Sequence, residues 1–82
     1  MKTAEKAYLE ALKGINIKEN EKIVLQSKKS HFCYIFARNV KDSNKEELFN
    51  IVLQSGNKYW INLFLETVKF NKEKFSDYLL FI

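Results

Sequence analysis

The sequence predicts an all-α fold: three stacked helical hairpins of about 28 residues each, forming a short helical-repeat solenoid. Three observations lead to this prediction. Apolar residues recur every three or four positions, as they do on one face of an α-helix. One segment of the chain repeats at a fixed offset. The chain also has two glycines and no proline, fewer turn-forming residues than a small β-sandwich or barrel would need.

The repeat is clearest in two twelve-residue segments. Residues 16–27 read NIKENEKIVLQS and residues 44–55 read NKEELFNIVLQS, so seven positions are identical at an offset of 28. A hairpin of two short helices cannot bury its own apolar stripe, so we expect the copies to share one core. They are expected to form a single domain, residues 1–82, with approximate copies at 1–27, 28–55 and 56–82.

Each copy reads as a helix, a short turn and a second helix. The first helices carry apolar residues at equivalent positions: Tyr8 and Leu12, Phe36 and Val40, Phe64 and Val68. Asn16, Asn44 and Asn71 precede the second helices, where an Asn side chain can accept a hydrogen bond from an unpaired backbone N–H. The predicted helices span 4–13, 17–27, 31–41, 45–55, 58–69 and 72–81. The predicted core contains Phe32, Phe36, Val40, Ile51, Val52, Trp60, Phe64, Val68 and Leu79.

Positive charge is concentrated in the first half of the chain. Residues 1–41 contain nine Lys or Arg against four Asp or Glu, whereas residues 42–82 contain five against six. The first half therefore carries a charge of +5 and the second half −1. Any electrostatic attraction for an acidic partner is expected to come from the first half.

Catalytic and metal chemistry are not predicted. His31 and Cys33 are the only His and Cys, and two residues that are two apart on a helix point in different directions. A metal site needs several converging ligands, and no glycine-rich phosphate loop or nucleophile motif is present. We therefore expect no enzyme activity and no cofactor. The single Cys favours a reducing compartment such as the cytoplasm, and no apolar stretch approaches the ~20 residues of a membrane span.

Lysines and one tyrosine–arginine pair are the candidate partner-binding residues. Lys13, Lys41 and Lys69 end the first helix of every copy, where they either stabilise the helix terminus or form a row of cations. A second cluster consists of Lys22, Lys28 and Lys29.

Tyr34, Arg38 and Lys41 share one helix face, and the equivalents of Tyr34 and Arg38 in the other copies are polar. We therefore expect this face to be exposed. Tyr and Arg are enriched in binding hot spots, although a solvated helix face with a single Tyr explains the same pattern.

The repeat resembles a family of short tandem helical repeats found in low-GC bacteria and their phages. The matching residues are Phe36-Ala37-Arg38-Asn39-Val40-Lys41, then Asn44, Leu48, Val52-Leu53 and Ser55-Gly56. The first copy departs from the pattern at Glu21 and Lys22. The resemblance implies the hairpin fold and no catalytic residue. In size and lysine content, the chain is also similar to phage-encoded inhibitors of bacterial defence, such as anti-CRISPR proteins, with which it shares no motif.

These observations predict a non-enzymatic protein-binding module, with a phage-encoded inhibitor of a bacterial defence nuclease or nucleoprotein complex as its most specific form. Nucleic-acid binding is one alternative, weakened because the chain has a single Arg. The other alternative is self-association into a larger assembly, because the chain ends on Leu80, Phe81 and Ile82.

Overall fold

The computed structural model describes residues 2–76, and these residues form five α-helices and one short 3₁₀ helix, with no β-strand. The all-α prediction is therefore confirmed. The helices are α1 (Ala4–Leu12), α2 (Ile17–Ser27), α3 (Ser30–Asn39), α4 (Lys45–Ser55) and α5 (Lys58–Thr67), and the 3₁₀ helix is Glu73–Phe75. The bounds of the five α-helices lie within about two residues of the predicted ones. Leu79, Leu80, Phe81 and Ile82 lie outside the described residues.

Side-chain caps explain where several helices begin. The Asn44 side-chain oxygen accepts a hydrogen bond from the backbone N–H of Glu47 at 3.2 Å, as predicted. Asn71 accepts one from the N–H of Glu73 at 3.0 Å, at the start of the 3₁₀ helix. Asn16 differs from this prediction: its backbone is left-handed, with φ of 46°, and its side chain makes no capping hydrogen bond.

The first helices of the copies lie side by side and run in the same direction. At the start of α3 and α5, the rings of His31 and Trp60 are 5.3 Å apart, and further along, the Tyr34 hydroxyl reaches Thr67 Oγ1 at 2.9 Å. α1 packs against α3, where the Tyr8 hydroxyl accepts a hydrogen bond from Asn39 Nδ2 at 2.8 Å. α2 packs on α1 and α4 on α3, so the described helices form two layers, α1–α3–α5 and α2–α4.

The layers enclose one apolar core that is shared between copies. Phe36, Val40, Val52, Phe64 and Val68 are buried, as predicted. The predicted core residues that are only partly buried, and that pack against its edge, are Phe32, Ile51 and Trp60.

Helix α1 sits one residue out of the predicted register. It buries Ala4, Ala7 and Ala11, whereas Cys33 and Phe36 are buried on α3 and Val40 is buried directly after it, so the burial pattern is offset by 29 residues rather than 28. Leu12, the expected equivalent of Val40, is 45% exposed.

The cause of this shift is the turn that follows α1. Gly14 has φ of 80°, its N–H donates to the Ala11 carbonyl at 2.9 Å, and the N–H of Ile15 donates to the Glu10 carbonyl at 3.1 Å. This is a Schellman termination, which needs a left-handed residue just past the helix. α3 and α5 instead end on extended residues, Val40 and Val68.

Replacing the fully buried Phe64 by Ala should destabilise the protein by about 3–5 kcal/mol, because the cavity cannot close between α3, α4 and α5. Tyr59→Ala is the matched control, since this aromatic residue on the same helix is 65% exposed and its loss should cost much less. Urea unfolding followed by circular dichroism measures both variants. Equal midpoints for the two would contradict this assignment of the core.

Candidate functional site

Tyr34 is buried, so the expectation that it is exposed beside Arg38 is wrong. Its side chain is 3% exposed, and its ring lies 5.9 Å from the Trp60 ring and 6.2 Å from the Phe64 ring. Its hydroxyl hydrogen-bonds Thr67 Oγ1 at 2.9 Å. The physical reason is that α5 packs over the side of α3 that carries Tyr34. A comparison of equivalent residues in the three copies does not show which helix packs over a given residue. Tyr34 therefore joins α3 to α5 and is not free for a partner.

Arg38 and Lys41 are exposed near the end of α3, as predicted. Lys69 occupies the same place after α5 that Lys41 occupies after α3, since each follows an extended valine. Lys13 is exposed too, but it caps α1 within the Schellman turn. The row of lysines is therefore regular in the second and third copies and displaced in the first.

Three large apolar side chains that sequence reasoning missed are exposed beside these cations. Leu9 is 47% exposed, Leu12 is 45% exposed and Ile15 is 46% exposed. We call Leu9, Leu12 and Ile15 the apolar patch. At the structural offset of 29, Leu9 corresponds to Arg38, so the neighbouring helices α1 and α3 carry an apolar and a basic residue at equivalent exposed positions. Leu12 ends α1, whereas Lys41 follows the extended Val40 after α3. Gly14, as a left-handed helix terminator, was the sequence signal that could have revealed this register.

The turns from α2 to α3 and from α4 to α5 have the same geometry. Ser27 Oγ donates to the Val24 carbonyl at 2.6 Å and accepts from the N–H of Lys29 at 3.3 Å. Ser55 Oγ donates to the Val52 carbonyl and accepts from the N–H of Asn57 at 3.2 Å. The residue after each serine is left-handed: Lys28 with φ of 55° and Gly56 with φ of 71°.

Two surface clefts open next to these turns, and their floors are equivalent. The first encloses about 560 Å³ and the second about 240 Å³. Their floors are formed by residues at an offset of 28: Ile23, Gln26 and Ser27, and Ile51, Gln54 and Ser55. Lys2 and Lys29 line the first cleft, and Lys28 lines the second. The third member of the predicted cluster, Lys22, is exposed on α2 and lines neither cleft.

Aromatic rings are grouped at the starts of α3 and α5, beside these clefts. The Trp60 ring lies 5.3 Å from His31 and 4.8 Å from Tyr59, and His31 lies 5.0 Å from Phe32. His31 is exposed, and Tyr59 is 65% exposed, more than any residue of the apolar patch. We call the surface formed by Lys28, Lys29, His31, Lys58 and Tyr59 the basic edge.

A polar network occupies the first copy where the second copy is apolar. Asn20 is fully buried; its side chain donates to the Ile15 carbonyl at 2.9 Å and accepts from Lys2 Nζ at 2.9 Å. Lys2 also pairs with Glu10 at 2.7 Å, and this hydrogen bond lowers the pKa of the Glu10 carboxyl. Glu21, 5% exposed, accepts a hydrogen bond from the backbone N–H of Asn44. These polar groups are therefore satisfied and hold the fold together.

Acidic and sulfur groups do not converge in the described part of the chain. Among residues 2–76, no group of three His, Cys, Asp or Glu side chains is placed to hold a metal ion. Glu46 and Glu47 line a small cleft of about 240 Å³ together with Lys74. Cys33 is fully buried inside α3, and burial raises the pKa of its thiol to about 12.

No protein-family model, curated protein or solved structure matches the chain. Over residues 2–76, no helix has the length and apolar character that crossing a membrane requires.

Tyr34→Phe should destabilise the protein by about 1 kcal/mol, because the hydrogen bond between the Tyr34 hydroxyl and Thr67 Oγ1 is lost. Tyr34→Ala should cost about 3–5 kcal/mol, since a ring is removed from the core. Arg38→Ala, on the exposed face of the same helix, should stay within about 0.5 kcal/mol of the parent. Chemical denaturation measures all three, and a Tyr34→Ala variant as stable as Arg38→Ala would show that Tyr34 is not a core residue.

Cys33 should react with a thiol reagent only after the protein unfolds, because the folded thiol is buried and protonated. An unfolded Cys ionises near pH 8.5, whereas the folded thiol has a pKa of about 12. The unfolded state therefore binds fewer protons in this window, and the free energy of unfolding should fall as the pH rises through it. Denaturation series at rising pH for the parent and for Cys33→Ala test this. The free energy of unfolding should fall less with rising pH in Cys33→Ala than in the parent. An equal fall in the two proteins would contradict a buried thiol at Cys33.

Proposed function

We propose that this protein is a non-enzymatic module that binds another protein, and that its three copies form a short helical-repeat solenoid. The observation that carries the proposal is the apolar patch. Single exposed apolar side chains are ordinary on a protein surface, but three of them in sequence positions 9–15, each nearly half exposed, form a candidate contact. A solenoid of this kind presents surface and encloses little space for chemistry.

The charges around the apolar patch indicate the kind of protein surface that would fit it. Lys13 directly follows Leu12, Arg38 is exposed on the neighbouring helix α3, and Lys41 is exposed just after the end of α3. Apolar centres rimmed by polar groups are the usual anatomy of protein interfaces. The expected partner is therefore a folded protein with an apolar patch bordered by acidic side chains.

The solenoid part of the proposal is supported by the repeated geometry. The turns after Ser27 and Ser55 are the same, and α3 and α5 end in the same way. The narrower form of the functional proposal is inhibition of a bacterial defence nuclease, which rests on the size and composition of the chain. Such a partner also has the acidic groups that a basic inhibitor needs, because nucleases bind divalent cations through carboxylates.

A capture experiment tests the apolar patch. Immobilised parent protein, Leu9→Ser/Leu12→Ser and Tyr59→Ser are each incubated with bacterial lysate treated with nuclease, and retained proteins are identified by mass spectrometry. The parent and Tyr59→Ser should retain the same protein in stoichiometric amounts, and Leu9→Ser/Leu12→Ser should lose it, because both leucines are exposed and their replacement leaves the core intact.

Two outcomes would contradict the proposal. The first is that all three proteins retain the same set, which would place the working surface elsewhere. The second comes from sedimentation: a parent dimer that becomes a monomer in Leu9→Ser/Leu12→Ser would show that the apolar patch covers a second copy of this chain.

A further inference from the structure

The basic edge combines three features that the proposed protein contact does not use. It contains exposed aromatic rings, it borders two equivalent clefts, and its charged residues are lysines. It lies at the starts of α3 and α5, whereas the apolar patch lies around the end of α1. The edge therefore needs an explanation of its own.

The two clefts present three of the same residue types, Ile, Gln and Ser, at an offset of 28 residues. Because the Ser27 and Ser55 turns are the same, Gln26 and Gln54 stand at equivalent places on the last turns of α2 and α4. A glutamine amide offers two donors and an acceptor in one plane. A ligand that contacts both clefts should therefore be a polymer whose polar groups recur along its length.

The aromatic residues are also repeated. His31 and Tyr59 are equivalent at the offset of 28, both are exposed, and Trp60 contacts both of their rings. Exposed rings of this kind are platforms for other flat groups, and stacking is tolerant of which base lies on the ring.

Charge on this edge is positive. Lys28 and Lys29 precede α3, and Lys58 begins α5. Neither α3 nor α5 has an acidic residue in its first turn, in contrast to α1, α2 and α4. The nearest acidic residue on α5 is Glu66, two turns beyond Tyr59. The first turns of α3 and α5 therefore present lysines and no carboxylate to a negatively charged ligand.

We propose that the basic edge binds single-stranded nucleic acid in a register set by the repeat. The lysines contact phosphates, the rings of His31 and Tyr59 stack on bases, and Gln26 and Gln54 hydrogen-bond base edges that enter the two clefts. A single strand is favoured over a duplex because only unpaired bases expose their faces for stacking. An acidic polypeptide matches the lysines but supplies no row of flat groups for the rings.

Trp60 gives the experiment a direct signal, because it is the only tryptophan in the chain and contacts both exposed rings. The full chain is titrated with a short oligothymidylate and an oligouridylate, and with two comparison polyanions, poly-glutamate and a DNA duplex. Single strands should quench Trp60 fluorescence and bind most tightly. The slope of log K against log salt should be about −2, since about three lysines contact phosphates and each contributes about −0.7.

The variants separate stacking from charge. Tyr59→Ala should weaken single-strand binding by roughly tenfold, and Tyr59→Phe should bind as the parent does, because the ring is what stacks. Lys28→Gly/Lys29→Asn gives the turn before α3 the Gly-Asn sequence of the turn before α5, Gly56-Asn57. The left-handed residue becomes a glycine, so the fold should be kept. It should reduce the salt slope to about −0.7.

The matched control removes two lysine charges from α2 itself, outside the basic edge. Lys18→Gln/Lys22→Gln has the same net charge as Lys28→Gly/Lys29→Asn but leaves the basic edge intact, so it should bind nearly as the parent does. Each of four outcomes overturns the proposal: no binding of single strands, equal weakening by the two double variants, equal binding of Tyr59→Ala and the parent, or poly-glutamate that binds and quenches as well as the oligonucleotides do. The last result would assign the edge to an acidic polypeptide. None of these results depends on the apolar patch, so the two proposals can fail independently.

Discussion

Helices of about ten residues are marginal in water, so each helix of this protein depends on the side chains that its neighbours place over it. Phe49 shows how this dependence is met in the second half of the chain. It is fully buried on α4, and its ring lies 5.0 Å from Phe64, 4.9 Å from Phe70 and 4.9 Å from Phe75. One side chain thus joins α4, α5 and the 3₁₀ helix. Aromatic pairs at these distances add to the free energy of apolar burial, so the helices cannot be expected to form separately.

In the first copy, buried polar groups join the helices in place of aromatic rings. Asn20 and Glu21 take the places of Leu48 and Phe49 and are also buried. Buried polar groups are costly unless they are paired, and here Asn20 is paired within the first copy, through Lys2 and the Ile15 carbonyl. Glu21 instead accepts from the backbone N–H of Asn44, the residue that caps α4. The carboxylate therefore joins the first copy to the second at the point where α4 begins. This explains why the repeat can depart from its apolar pattern at Glu21 without leaving a buried polar side chain unpaired among residues 2–76.

Helix positions could be predicted because periodicity and caps are local signals, as Asn44 and the bounds of α4 show. The register of α1 could not be derived from identity between copies, because it is set by the Gly14 turn, where the first copy differs from the others. The burial of Tyr34 was missed for another reason. Its equivalents are polar, but burial depends on which helix lies opposite, and the sequence comparison does not contain that contact. The exposed lysines and Arg38 could be identified from the sequence. The apolar patch follows from the register of α1, for which Gly14 was the one sequence signal, whereas the two clefts follow from turn geometry and so required the structure.

The repeat is conserved between copies at one set of turns and altered at another, and the two places offer different binding surfaces. At the turns after Ser27 and Ser55, the hydrogen bonds and the left-handed residue are the same, so the groups next to them occur twice, at equivalent positions. Such a pair of positions suits a ligand that presents the same kind of group twice. At the C-terminal end of α1, the Gly14 turn rotates the helix and brings Leu12 to the surface. At the C-terminal end of α3, the exposed residue is instead Lys41. The surface around Leu12 occurs once in the described helices, and a surface that occurs once suits a partner with a single complementary face. The one-residue shift of α1 is therefore the structural change that gives a repetitive scaffold a unique contact surface beside its periodic one.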